Sequence, residues 1–142
     1  MDKDRRDIEN IIARQFRSLN WGSEQAADWD AFISDFLPGA LLYPAARPVK
    51  SQTPVEFVKR MEGLANSKLQ SFTEDVLGYR IQVFGNVAIA VAGCRITENE
   101  TTESRSVEMM LLAKEDGVWR IVGQAWDNEG DSKKLPPELA GP

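Results

Sequence analysis

An α+β domain is predicted, with three N-terminal helices packed on one face of a strongly curved antiparallel or mixed sheet. Two features of the sequence carry this. Up to residue 66 the apolar residues recur every three or four positions, as on one face of a helix. From residue 69 to 126 the pattern changes to the alternation of strands. A length of 142 residues suits one domain. Residues 1–142 are therefore read as a single unit, with a proline-rich tail over residues 130–142 that is loose or lies over the surface.

Ile8, Ile11, Ile12, Phe16 and Leu19 mark the first helix, and residues 20–23 break it. Trp29, Phe32, Ile33, Phe36 and Leu37 repeat the pattern in a second helix, which Pro38 and Gly39 should stop. Residues 40–43 form a brief strand ending at Pro44, and a loop follows to residue 52. The third helix has the clearest start. Thr53-Pro54-Val55-Glu56 is a capping box with proline in the first turn, and Phe57, Met61, Leu64 and Ala65 form the buried face behind it.

Four strands follow, over residues 70–84, 87–97, 104–114 and 118–128. The second is apolar on both faces and belongs inside its sheet. In the third, Arg105, Val107, Met109, Leu111 and Ala113 share one face. Glu115-Asp116-Gly117 makes a hairpin turn. In the last, Val122, Gln124, Trp126 and Asn128 alternate on one face and Ile121, Gly123, Ala125 and Asp127 on the other. The helices can cover only one face of this sheet, yet both carry apolar residues. An apolar open face marks an interface, so a homodimer through the sheet is expected.

The composition excludes several chemistries. The chain has no histidine and one cysteine, Cys94. This rules out zinc, haem and iron–sulfur centres built on histidine and cysteine, and any Ser–His or Cys–His nucleophile pair. It also rules out an internal disulfide, which fits a reducing compartment. With 17 basic against 22 acidic residues the net charge is −5, and no basic patch suggests a nucleic-acid partner. No apolar run approaches a membrane span, and the charged N-terminus is not a signal peptide. A cytoplasmic protein is expected. Residues 127–131 are acidic but lack the spacing of a calcium loop, so no metal is expected, and no cofactor motif is present.

This order of elements, with several short phrases, resembles the nuclear transport factor 2-like (NTF2-like) superfamily, most of all its SnoaL-like and ketosteroid-isomerase-like branch. The phrases are Leu19-Asn20-Trp21-Gly22, Trp29-Asp30-Ala31-Phe32 followed by Leu41-Leu42-Tyr43-Pro44, and Gly117-Val118-Trp119-Arg120-Ile121 with Trp126 after it. The resemblance implies a conical domain with a pocket between the helices and the concave sheet. In ketosteroid isomerases a helix tyrosine, an aspartate before a proline and a strand aspartate do the chemistry. Those places match Gln15 or Phe16, Tyr43 and about Met109, and none of the three residue types is present. The resemblance therefore implies the fold without that activity.

The expected pocket wall is Phe16, Trp29, Tyr43, Met61, Met109, Gln124 and Trp126, a mainly apolar surface with a few directed polar groups. Trp126 reads equally as a dimer-interface residue. Tyr43 and Asp127 are the only acid or base candidates, each with a bland alternative as a surface group. Arg95 and Arg105 are either an anion clamp or rim residues paired with Glu103 and Glu108. Cys94 reads as a core residue. Three functions follow: a small-molecule-binding protein without a recognisable catalytic set, a lyase or isomerase acting on a small apolar carbonyl compound, or an association module without ligand.

Overall fold

The computed structural model describes residues 2–142. Helices α1 (Asp2–Leu19), α2 (Trp29–Ser34) and α3 (Pro54–Ala65) lie against a sheet of five strands. The strands are β1 (Phe36–Tyr43), β2 (Phe72–Phe84), β3 (Val87–Glu98), β4 (Thr102–Glu115) and β5 (Val118–Asn128). Their order is β1-β5-β4-β3-β2. The last four form an antiparallel meander, and β1 joins the β5 edge in parallel. The domain is thus α+β with a mixed, curled sheet.

The second helix is shorter than its periodicity suggests. It ends at Ser34, and Phe36 and Leu37 belong to β1. The edge of β5 captures the chain there: Ile121 N–H donates to the Asp35 carbonyl at 2.8 Å, and Phe36 pairs with Ile121. Pro38, which has no N–H, is tolerated because β1 is an edge strand and its register shifts between Phe36 and Leu41. Arg14 of α1 holds the junction by a forked pair of hydrogen bonds to the buried Asp35 carboxylate.

The core lies between α1 and the concave face. Ile8, Ile12, Phe16 and Leu19 pack on Ala90, Ala92, Met110, Leu112 and Ile121. Asp4 pins the start of α1 to the sheet by accepting from Trp119 Nε1 and Lys114 Nζ, both at 3.0 Å. At the other end of α1, Trp21 stacks on Phe72 and donates to the Leu69 carbonyl at 2.8 Å. Asp116 and Gly117 both take positive φ in the β4–β5 hairpin, as the turn requires.

The tail is ordered against the convex face. Leu139, in a single 3-10 turn, is 1% exposed and sits over β2 and β3. Two glycines make room for it. A Cβ at Gly93 would fall on the Leu139 carbonyl oxygen, and one at Gly78 would lie 2.5 Å from the Glu138 carbonyl oxygen. Of the two readings of this segment, it lies over the surface rather than loose. No helix among the described residues is long and apolar enough to cross a membrane.

The capping box of α3 forms in both directions. Glu56 N–H donates to Thr53 Oγ1 at 3.1 Å, and Thr53 N–H donates to Glu56 Oε1 at 2.8 Å. Thr53→Ala is expected to cost about 1 kcal/mol, the worth of one side-chain cap. An unchanged denaturant midpoint would contradict this.

Candidate functional site

The layers leave a cavity of about 550 Å³ between the concave sheet and helices α1 and α3. Its walls are apolar. Phe16 and Leu19 come from α1, Phe57 and Met61 from α3, Leu42 from β1, Phe72 from β2 and Trp126 from β5. Phe57 meets Trp126 edge-on at 5.7 Å between ring centres and stacks with Phe32 at 5.4 Å. The rim is polar and open to solvent, with Arg60, Glu98, Ser104, Asp127 and Lys133 around it.

The floor is polar and buried. Gln15, Glu74, Glu108 and Gln124 line it with 0%, 6%, 5% and 6% of their surfaces exposed. Gln15 and Gln124 exchange hydrogen bonds, Nε2 to Oε1, at 2.8 and 3.0 Å. Gln124 Nε2 uses its second proton on Glu108 Oε1 at 2.7 Å. This fixes the Glu108 carboxyl from β4 against β5 and α1.

Glu74, on β2, is held differently. Its side chain meets the Glu108 carboxyl and the Cys94 thiol. Among the described residues no N–H or O–H donates to its Oε2, which is buried without a hydrogen-bond partner. Burial, and after it the charge of Glu108, pushes the Glu74 carboxyl well above the ordinary range. Burial also pushes Glu108 up to about 7, against the opposing pull of the Gln124 N–H and the bond to Glu74. Two adjacent buried carboxyls resist ionising together, so the pair keeps at least one proton at neutral pH. Burial and the neighbouring carboxyls raise the Cys94 thiol, so Cys94 stays protonated and unreactive, a core residue.

Four of the residues expected on the pocket wall lie on the cavity: Phe16, Met61, Gln124 and Trp126. Three lie elsewhere. Met109 is on the convex face and 56% exposed, because Ser106, Glu108, Met110 and Leu112 take the inward positions of β4. Tyr43 follows the inward Leu42 on β1 and so points outward, 38% exposed. Trp29 packs beside Trp21 and lines a shallow surface groove instead. The strict alternation read into the last strand is also corrected. A bulge at Val122 shifts the phase, so Ile121 faces inward together with Gln124 and Trp126, and Val122 faces outward.

Asp127 reaches the rim, but its carboxylate is taken by Lys133 Nζ at 2.6 Å and by the Asn128 N–H at 2.8 Å. The Lys133 bond and then the backbone bond hold it below its ordinary value, which makes it a poor base. Arg95 and Arg105 are direct cross-strand partners, as expected, but neither lines the cavity, and Arg95 pairs with Asp75 at 3.3 Å. Glu108 is not their rim partner, since it lies buried on the opposite face. Among the described residues no cluster of three metal-ligating side chains occurs.

The carboxyl pair is what the sequence reading missed. A strand carboxylate was sought at about Met109 and none was found; Glu108, one residue earlier, is the carboxylate of β4 that faces inward. Its signal was the alternation Ser106, Glu108, Met110, Leu112, which competes with the equally apolar Val107, Met109, Leu111, Ala113.

No family profile and no curated protein matches the sequence. Solved structures share the fold. An NTF2-like protein of unknown function from Pseudomonas putida superposes with a TM-score of 0.73 at 12% identity, covering 96% of this chain and 99% of that one. A protein of unknown function with a cystatin-like fold from Nostoc punctiforme gives 0.72 at 14%, covering 92% and 95%. A protein from Novosphingobium aromaticivorans, provisionally named a scytalone dehydratase, gives 0.72 at 12%, covering 98% and 92%. The chain therefore has the NTF2-like, cystatin-like fold. At these identities the likeness speaks for the fold alone.

Proposed function

We propose that this protein binds a small, largely apolar molecule in its cavity and moves a proton on it, as an isomerase or lyase does. The observation that carries this reading is the buried Glu74–Glu108 pair on the cavity floor. Proton transfer at neutral pH calls for a base near neutrality and an acid beside it. Glu108, raised to about 7, suits the first role, and Glu74 the second. The aromatic wall binds the substrate through burial, and the few polar groups orient it. The fold hosts such chemistry in a protein provisionally named a dehydratase, which supports the reading without supplying a substrate.

The test is to incubate the protein with a panel of small apolar ketones, enones and hydroxy compounds in heavy water. Deuterium uptake or elimination is followed by NMR. Glu108→Gln, nearly isosteric, is expected to lower the rate about a hundredfold or more, the usual worth of a general base. An equal rate in the variant would contradict the assignment. Turnover of no compound that binds would leave a binding protein without catalysis.

A second reading concerns assembly, and a separate observation favours it. The convex face exposes Ile89, Met109 and Leu111 at 46%, 56% and 50%, with Val87 and Val122 beside them. We propose that a second copy covers this face, giving a homodimer through the sheet. Sedimentation equilibrium at micromolar concentration should give twice the chain mass of 15.9 kDa, and Leu111→Glu should shift it toward the single chain. A single-chain mass for the unmodified protein would contradict this.

A further inference from the structure

Charge is unevenly spread around the mouth of the cavity. Residues 36–61 hold four basic residues, Arg47, Lys50, Lys59 and Arg60, and one acidic residue, Glu56, in a chain whose net charge is −5. This stretch also builds one side of the mouth, where Pro44, Ala45, Ala46 and Arg60 line the opening. Lys50 and Lys59 lie near Glu56, which leaves Arg47 and Arg60 as the cations of that side. Arg60 follows Phe57 by three positions and precedes Met61, so it stands at the exposed border of the cavity face of α3. Its stem can lie along the apolar wall while the guanidinium stays in water. Among the described residues no carboxylate pairs with it. Arg47 Nη1 donates to the carbonyls of Pro44, Ala45 and Ala46 at 3.4, 3.0 and 3.2 Å, which fix the group and leave its charge unbalanced. Asp127 is already neutralised by Lys133 at 2.6 Å. The other acid of the rim, Glu98, belongs to β3, two strands away from β5.

We infer that the ligand is an apolar carboxylic acid, with its hydrocarbon body against the aromatic wall and its carboxylate at the mouth on the Arg60 guanidinium. One unpaired guanidinium matches one carboxylate, which it can grip through two N–H···O bonds. Arg47 adds to the positive field on the same side. A doubly charged head would call for a second unpaired cation in the lining, and Lys133 is spent on Asp127. The opposite orientation is disfavoured, because the floor already holds the buried carboxyls of Glu74 and Glu108, and a third carboxylate there meets the same burial penalty. At the mouth the head keeps part of its hydration, and only the apolar body is buried. The inference deepens the proton-transfer reading and rests on its claim that a small molecule occupies the cavity: the substrate becomes an acid whose reacting end lies away from its carboxylate.

Three ligands on one skeleton test it: naphthylacetic acid, its neutral amide and the matching naphthylethylamine, with affinities measured by calorimetry on the full chain at neutral pH. The acid should bind about tenfold tighter than the amide, the affinity equivalent of a hydrogen bond to a charged group, and the amine weakest. The preference for the acid should shrink at about 1 M salt, where screening acts within about 3 Å, while the amide serves as the control for other effects of salt. Arg60→Gln, an exposed substitution, should remove most of the preference and leave the amide unaffected. Arg105→Gln, outside the cavity, should leave all three affinities unchanged. Thermal melting shows that both variants are folded, and the salt dependence of the unmodified protein tests the same charge without any substitution. An amide that binds as tightly as the acid, an amine that binds tightest, or a preference that survives Arg60→Gln would overturn the inference and leave the cavity as a site for neutral or basic molecules. Binding of none of the three would overturn it together with the reading on which it rests. Because the readout is affinity, a preference for the acid stands even where no compound is turned over, and the proton-transfer reading then fails alone.

Discussion

The reciprocal amide pair of Gln15 and Gln124 is the contact on which the site depends. It joins α1, which packs on the concave face, to the strand beside the sheet's parallel edge, and it does so inside the buried core. It also sets the orientation of Gln124, whose remaining proton holds Glu108. Loss of either amide would leave its partner buried and unpaired, at a cost of about 1–3 kcal/mol. The register of α1 on β5 is thus coupled to the position of a titratable carboxyl. Helix packing and site geometry are the same set of contacts.

The curled sheet creates the second half of the site. Glu74 stands on β2, two strands away from Glu108 on β4. Between them β3 supplies Ala92 and Cys94, small residues that leave room for the two carboxyls to meet above it. Large side chains from α3 and the strand ends then roof the space, so the pair faces a cavity rather than solvent. The fold alone does not dictate this chemistry, because carboxyls on the floor are a choice of side chains within a framework that serves many functions.

Much of this was legible in the sequence. The α3 cap, the strand limits of β5 and the hairpin glycine are local signals, decided by a few adjacent residues, and they are formed as read. The second helix was overrun because Phe36 and Leu37 continue a helical period, while hydrogen bonding to β5, distant in sequence, decides their state. The pocket was half legible for a related reason. Residues on α1, α3 and β5 were placed on the cavity, but the inward phase of β4 cannot be read where both faces are apolar. That ambiguity sent Met109 inward and hid Glu108. The bulge at Val122 has no signature beyond the neighbouring Gly123. Glu74 was unreadable as a site residue, since only the curl of the sheet brings it to Glu108.

The proton shared by Glu74 and Glu108 is tested most directly by carboxyl-carbon NMR titration of protein labelled in its glutamate side chains. Assignment comes from the Glu74→Gln and Glu108→Gln variants. The predicted result is a Glu108 resonance that titrates near 7 and a Glu74 resonance that stays protonated well above the ordinary glutamate value of 4.5. Titration of both groups at or below 4.5 would mean two independent, solvated carboxylates and would contradict the shared proton.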